Sequence, residues 1–482
     1  MMSLPDPRVS RGHSFLTRLC RARARLLLFL VLCFFTAAGC CPPSAWTAEE
    51  GPFSQVVEHE LANGMKVLLL REPRAPLVTH QIWYRVGSRH EQLGKTGLSH
   101  LTEHLMFKGT EKYGPKEFSR AVQRSGGTDN AFTGRDYTAY FQNGPATELK
   151  LWMEMEADRM RNLKVSPEAF AIEQKVVLEE RRQRTEDDPV SFLSEETWAA
   201  AFKAHPYQWP VIGWFHDIES LTREDFLKYY QTYYQPNNAT LVVVGDIDPR
   251  ETLAHIEKIY GTIPRGPEPP KVTAKEPPQY GERRVVVHRE AQLPYLIMVY
   301  HVPHWEHPDA YALDLLSGLL SMGRSSRLYH RLVYKERLAL EVGSDYNLDS
   351  ADPPVFILYG QPMPKKTTAQ LEAALDQEVK RLQTEAVDGQ ELQKVKNQIM
   401  AGFYMSLDSL FFRGMLLGKL ATVARWTLVK DYIPKIQAVS AADLQRVARQ
   451  YLIANNRTVG VLSPVKSDQA KPGRYQSGSQ IK

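Results

Sequence analysis

The strongest constraint on this chain is that it repeats itself. Around Asp225 the order is Asp225-Phe226-Leu227, Tyr233, Asn237-Asn238, Thr240 and an apolar run from Leu241 to Val244. Around Asp443 it is Asp443-Leu444-Gln445, Tyr451, Asn455-Asn456, Thr458 and a run from Val459 to Leu462. Asp, Tyr, both Asn and Thr recur at a single offset of 218 residues, without a gap. Each copy reads as a helix that runs through a turn into a strand. So long a period belongs to duplicated domains, since solenoid repeats recur every ~20–50 residues.

The segment from Pro264 to Tyr280 separates the copies and holds six prolines. Proline fixes φ and removes a donor, so a stiff, extended linker is expected over 264–280. The halves are then 49–263 and 281–464, and residues 465–482, rich in Ser, Gln, Gly and Lys, read as a disordered tail. Lys66 to Leu70 and Val78 to Val86 are strand-like, whereas Gly97 to Phe107, Thr147 to Asn162 and Pro167 to Arg184 are helical. The pattern predicts a mixed α+β fold.

Apolar residues make up 43% and charged residues 24%, enough to build buried cores and to exclude a wholly disordered, collagen-like or coiled-coil chain. Arginines crowd the first 40 residues, and without that segment basic and acidic residues balance. A neutral body gives no electrostatic reason to expect nucleic-acid binding. All four cysteines (Cys20, Cys33, Cys40, Cys41) lie in the first 41 residues, so neither disulfides nor thiol catalysis can serve the body.

Residues 1–48 read as an export segment: arginines, the apolar run Leu26 to Phe35, then the small residues Thr36 to Gly39. The run is short for a bilayer span, which takes ~20 apolar residues. Two processing routes are open. Ala37-Ala38-Gly39-Cys40 resembles a lipoprotein cleavage box that would put a lipid anchor on Cys40, although a larger aliphatic residue is usual at Ala37. Otherwise a signal peptidase cuts before Glu49. A mitochondrial transit peptide would be amphipathic, and this run is not. The expected location is the periplasm or cell envelope.

The chemistry is concentrated in Gly97 to Phe107, which contains His100-Leu101-Thr102-Glu103-His104. On a helix, His100 and His104 share a face and can ligate one Zn²⁺. Glu103 borders that face and can reach a water on the metal, whose pKa zinc lowers to ~7. A third ligand is needed, with one position left open. The helix from Pro167 carries Glu173 and Glu180, seven residues apart and on one face. They offer one ligand and one carboxylate that orients a histidine, while Val176 and Val177 between them can face a core. Glu179, Glu186, Asp187 and Asp188 read as solvated acids.

These motifs resemble the pitrilysin/insulinase family of zinc metallopeptidases (inverzincins), in the bacterial branch similar to mitochondrial processing peptidase. Its pattern is His-x-x-Glu-His followed ~70–80 residues later by Glu-x6-Glu. The flanks agree: Gly97, Phe107, Gly109, Thr110, Gly126-Gly127, Asn130-Ala131, Thr133, His205-Pro206-Tyr207 and Ser325-Ser326-Arg327-Leu328. The likeness covers about residues 53–464. It implies four α+β subdomains in two similar halves, facing each other like a clamshell around a chamber suited to unfolded peptides. It implies one Zn²⁺ on His100, His104 and Glu180, with Glu103 as general base and Glu173 in support. Asp129 to Phe141 reads as one strand, which by the resemblance is a sheet edge beside zinc. There Asn130 and Ala131 take substrate backbone by strand addition.

His301, His304 and His307 imitate a metal tract, but Pro303 breaks the helix such a face requires, and a polar loop is expected. The family also places an Arg and a Tyr, seven apart, after the Ser-Ser-Arg-Leu segment, where they bind the scissile carbonyl region. Here those places are Val333 and Leu340, and neither can donate a hydrogen bond. A paralogous partner lacking the zinc motif can supply the donors, in a dimer or heterodimer. Tyr334, Arg337 or Tyr346 can substitute. Or activity is weak or lost. The expected function is a zinc-dependent endopeptidase acting on peptides, with a non-catalytic peptide-binding or assembly subunit as the alternative. A structural zinc site fits less well, because only three protein ligands are evident and cysteine is absent.

Overall fold

A computed structural model describes residues 51–466. The expected export segment, with Cys40, and the tail beyond residue 466 lie outside the described residues. Val465, assigned to the tail by sequence, ends a strand. No helix among the described residues is long and apolar enough to cross a membrane.

Each half carries one sheet. The first contains β1 (Val57–Glu60), β2 (Lys66–Arg71), β3 (Leu77–Tyr84), β4 (Thr128–Thr133), β5 (Thr138–Pro145) and β6 (Ala239–Gly245), in the order β1-β2-β6-β3-β5-β4. The second contains β7 (Arg283–Glu290), β8 (Tyr295–His301), β9 (Ala339–Tyr346), β10 (Val355–Pro362) and β11 (Arg457–Val465), in the order β7-β11-β8-β10-β9. Apart from β1, the two orders correspond strand for strand. β2–β6 and β7–β11 are the parallel pairs, and the remaining pairs are antiparallel.

Eight helices carry the argument: α1 (Leu98–Leu105), α2 (Pro167–Arg181), α3 (Pro189–Ala201), α4 (Arg223–Tyr233), α5 (Asp309–Ser321), α6 (Gly389–Ser406), α7 (Leu410–Val423) and α8 (Ala441–Tyr451). The repeated residues do equivalent work in each half. Asp225 and Thr222 form a reciprocal cap on α4, as Asp443 and Ser440 do on α8. Asn238 Nδ2 donates to the Tyr233 carbonyl at 2.9 Å, and Asn456 Nδ2 to the Tyr451 carbonyl at 2.9 Å. These contacts close each helix and turn the chain into an inner strand of its sheet, β6 or β11.

The halves are joined by more than the linker. Helix α3, from the first half, packs on β7 and β11 of the second sheet. Helix α7, from the second half, packs on β3 and β6 of the first. Gly418 on α7 lies so close to the Trp83 indole that a Cβ would collide with it, and Gly460 on β11 clears the same space for Thr197 of α3. Gln81 Nε2 donates to the Phe411 carbonyl at 3.0 Å, and Arg85 Nε to the Thr422 carbonyl at 3.1 Å. The His205-Pro206-Tyr207 segment adds a polar clasp. Tyr207 OH donates to Asp136 at 2.7 Å and accepts from the Asp352 amide at 3.2 Å, and Arg89 reaches Asp352 at 2.7 Å. Residues 264–280 contain no helix or strand, and Glu276 within them accepts the amides of Lys203, Ala204 and His205 at 2.8–3.0 Å.

Three local expectations change. Asp129 to Phe141 is not one strand but the hairpin β4–β5. Gly134 N bonds the Tyr137 carbonyl at 2.8 Å, closing a four-residue turn whose Gly and Asp are turn formers. Helix α2 ends at Arg181 and continues as a π turn over Arg182–Glu186. Val177 is fully buried, but Val176 is 44% exposed. Being three residues after Glu173 and four before Glu180, Val176 lies on their side of the helix, away from Val177.

Candidate metal centre

Leu98, Leu101, Thr102 and Leu105 bury one face of α1 in the core of the first half, and this leaves His100, Glu103 and His104 on the other. Gly97 opens the helix at a positive φ of 86°. The buried Glu91 carboxyl replaces the missing side-chain cap, accepting the amides of Gly97 at 2.9 Å and Ser99 at 2.6 Å. Helix α2 begins on a Ser166 cap with proline in its first turn, buries Phe170 and Val177, and packs against α1.

That packing brings distant segments together. His100 Nε2 lies 3.7 Å from one oxygen of Glu180, and His104 Nε2 lies 3.3 Å from the other. One ligand atom from each of the three residues falls within 4.8 Å of the others, the only such group of His, Cys, Asp or Glu among the described residues. Two imidazoles and a carboxylate, without thiolate, form a donor set that suits zinc and leaves a fourth position open. Burial, reinforced by the charges of His104 and Arg184, pulls His100 down to about 3, so its ring is neutral and keeps a lone pair to offer. Its Nδ1 is buried without a partner. The residues present fit a metal ion.

His104 Nδ1 sits 3.2 Å from Glu173, a hydrogen bond that fixes the ring with Nε2 facing Glu180. Burial lowers the His104 pKa, but the Glu173 hydrogen bond and the Glu180 and Glu103 carboxylates outweigh it and hold it above the usual histidine range. Glu173 feels a burial penalty too, yet His104 and Lys108 keep it below the usual carboxylate range. Lys108 pairs with its second oxygen.

Glu103 stands beside the three residues and accepts the Thr133 hydroxyl at 2.5 Å. Burial raises its pKa, and the Thr133 bond opposes the rise. Thr133 belongs to β4, the outer strand of the first sheet, which lies against α1. Asn130 is exposed and Ala131 half-buried on that same strand. Arg184, on the π turn, reaches Glu180 at 2.7 Å. Sequence reasoning passed over Arg184 and Lys108, although each stands four residues after a member of the constellation, the spacing of helical neighbours.

The three later histidines are engaged elsewhere. His301 Nε2 contacts the Ala201 carbonyl at 3.0 Å, His304 Nδ1 contacts the Ser350 carbonyl at 3.1 Å, and His307 Nδ1 accepts the Asp309 amide at 3.1 Å. Val333 lies half-buried in a π turn, and Leu340 is 44% exposed on β9. Of the substitutes considered, Tyr346 is buried and spends its hydroxyl on the Pro303 carbonyl at 2.5 Å. Tyr334 and Arg337 are exposed.

Comparison with known proteins shows the family. Residues 66–213 match the model of the insulinase family (peptidase family M16), and residues 220–399 match that of the peptidase M16 inactive domain. The zinc protease PqqE of Helicobacter pylori is 33% identical over 418 residues, covering 85% of this chain and 94% of that protein. The crystal structure of a protease from Helicobacter pylori superposes with a TM-score of 0.83 at 32% identity, covering 85% of this chain and all of that one. The structure of an M16-like peptidase from Alicyclobacillus acidocaldarius, 20% identical, shares the fold with a TM-score of 0.75 over 85% of this chain and 98% of its own. The chain belongs to the insulinase family of peptidases, family M16.

Proposed function

We propose that this chain is a zinc-dependent endopeptidase that hydrolyses peptides or unfolded polypeptides. One observation carries the reading: His100, His104 and Glu180, drawn from two separate helices, converge with Glu103 alongside and uninvolved in the cluster. A purely structural metal site has no use for a carboxyl that stands beside the ligands without joining them.

In this proposal His100, His104 and Glu180 hold the ion, and Glu173 fixes the His104 ring. Zinc, when bound, polarises a carbonyl and makes water acidic enough to be deprotonated near neutral pH. Glu103 takes the proton of the attacking water and returns it to the leaving amine. Thr133 sets the orientation of Glu103. The free edge of β4, at Asn130 and Ala131, receives the substrate backbone as an added strand, which gives affinity without a demand for one sequence. Export through residues 1–48, to the periplasm or cell envelope, belongs to the same proposal and rests on the order of charge, apolar run and small residues.

Val333 and Leu340 leave the carbonyl region without side-chain donors at those places, and Tyr346 is already committed. This supports a partner chain that completes the site, a paralogue without the zinc motif. It also supports the second reading, a non-catalytic peptide-binding subunit. Zinc content measured beside chelator-sensitive cleavage of a quenched peptide decides between enzyme and scaffold. Full-rate cleavage by the isolated monomer would remove the need for a partner.

A further inference from the structure

A cavity of about 520 Å³ opens in the C-terminal half between α5, β9 and α6. It occupies the topological counterpart of the metal centre. Helix α5 follows β8 as α1 follows β3, and β9 is an outer strand as β4 is. Where Thr133 meets Glu103 in the first half, Ser344 on β9 meets Ser321 at 2.9 Å and Ser317 at 3.2 Å on α5. No histidine lines this cavity, so it does not repeat the zinc chemistry.

Its lining specifies a different ligand. Asp314, half-buried on α5, accepts the Tyr432 hydroxyl at 2.6 Å, and Asp345 stands exposed on β9. Burial pushes the Asp314 carboxyl up to about 6, a rise that a neighbouring cation would relieve. Trp305 is only 5% exposed, lines the cavity, and leaves its indole N–H without a partner. Gln398 Oε1, also on the lining, is a buried acceptor without a donor. Unpaired buried groups of this kind call for a ligand or water to satisfy them. Ile399, Phe403 and Leu416 supply apolar lining.

Carboxylates and apolar lining together suit a cation on an aliphatic stem. A lysine or arginine residue offers both the charge and the stem. We propose that this cavity binds a basic residue of a peptide, at a site separate from the metal centre. The cation chemistry stands on the lining alone, whereas the peptide identity rests on the peptidase reading. A chain of aromatic contacts links α7, which contributes to the lining, to the strand assigned to substrate. Phe412 lines the cavity, and its neighbour Phe411 makes a tilted ring contact with Phe141 at 4.6 Å, which lies 6.2 Å from Phe132 on β4.

The test is calorimetric titration of the full chain, in a Glu103→Gln background, with N-acetyl-arginine amide and with the neutral N-acetyl-citrulline amide. The arginine probe is expected to bind at least ~10-fold more tightly, the value of one charge-assisted contact. Asp345→Asn or the isosteric Asp314→Asn, each checked for an unchanged melting temperature, is expected to erase that preference. Equal affinities, no binding of either probe, or a preference that survives in both variants would overturn the proposal. Charge-selective binding by a chain that never cleaves peptides would end the peptidase reading and leave the cationic site. Cleavage without charge-selective binding would do the reverse.

Discussion

Thr133 on the outer strand of the first sheet donates its hydroxyl to Glu103 on α1 at 2.5 Å. The strand proposed to hold substrate thus also holds the proposed base. A peptide added to the β4 edge would lie on the element that sets the direction of the Glu103 carboxyl.

Glu103→Gln keeps the size of the side chain and removes its basicity. Cleavage is expected to fall ~10²–10⁴-fold, the usual worth of a positioned base, with zinc content unchanged. Metal analysis beside a peptide assay checks this, and retained activity would remove Glu103 from its role.

Thr133→Val deletes one hydrogen bond to the Glu103 carboxylate. That bond lowers the Glu103 pKa against the rise caused by burial, so its loss sends the pKa higher. The base then protonates at higher pH, and the acid limb of the kcat/KM profile is expected to move upward. An unmoved limb would leave Thr133 a purely structural role.

Glu173→Gln leaves His100, His104 and Glu180 in place but weakens the acceptor that orients His104. Zinc affinity is expected to drop ~10–100-fold, as for other residues that hold a metal-binding histidine. Competition with a chelator measures it, and the same titration on Glu180→Gln should give the larger loss.

Burial raises the Glu91 carboxyl from 4.5 to about 8 while it caps α1. The folded protein therefore holds this proton more tightly than the unfolded chain. The associated stability is complete below pH 4.5 and is lost as pH climbs through 8. Relative to Glu91→Gln, which cannot ionise, the wild-type melting temperature should decline across that window. Parallel curves would show that Glu91 is not the group responsible.

Gly418→Val would force a side chain into the Trp83 indole. A loss of ~1–3 kcal/mol is expected from overpacking, read by denaturant titration.

Much of this was legible because it is written in local spacing. The 218-residue offset marked the caps and the turn asparagines, and these shape each helix-to-strand corner. The positions of His100, Glu103 and His104 on one helix followed from periodicity, and so did the shared stripe of Glu173 and Glu180. What escaped was set by tertiary contact. Nothing near Leu410–Val423 announces that this helix covers the other half's sheet, because its apolar residues would read the same over either one. The hairpin hidden in Asp129 to Phe141 was missed because its residues favour strand on both sides of Gly134. Val176 was misplaced because two adjacent valines look alike in sequence, whereas a helix separates them by ~100°.

The exchange of α3 and α7 changes what cutting the chain would mean. Scission between Pro264 and Tyr280 would sever the backbone without releasing either piece, since each keeps a helix seated on the other's sheet. Such an architecture tolerates being encoded as two polypeptides that meet after synthesis. Either fragment made by itself would leave a sheet uncovered, a surface prone to aggregate.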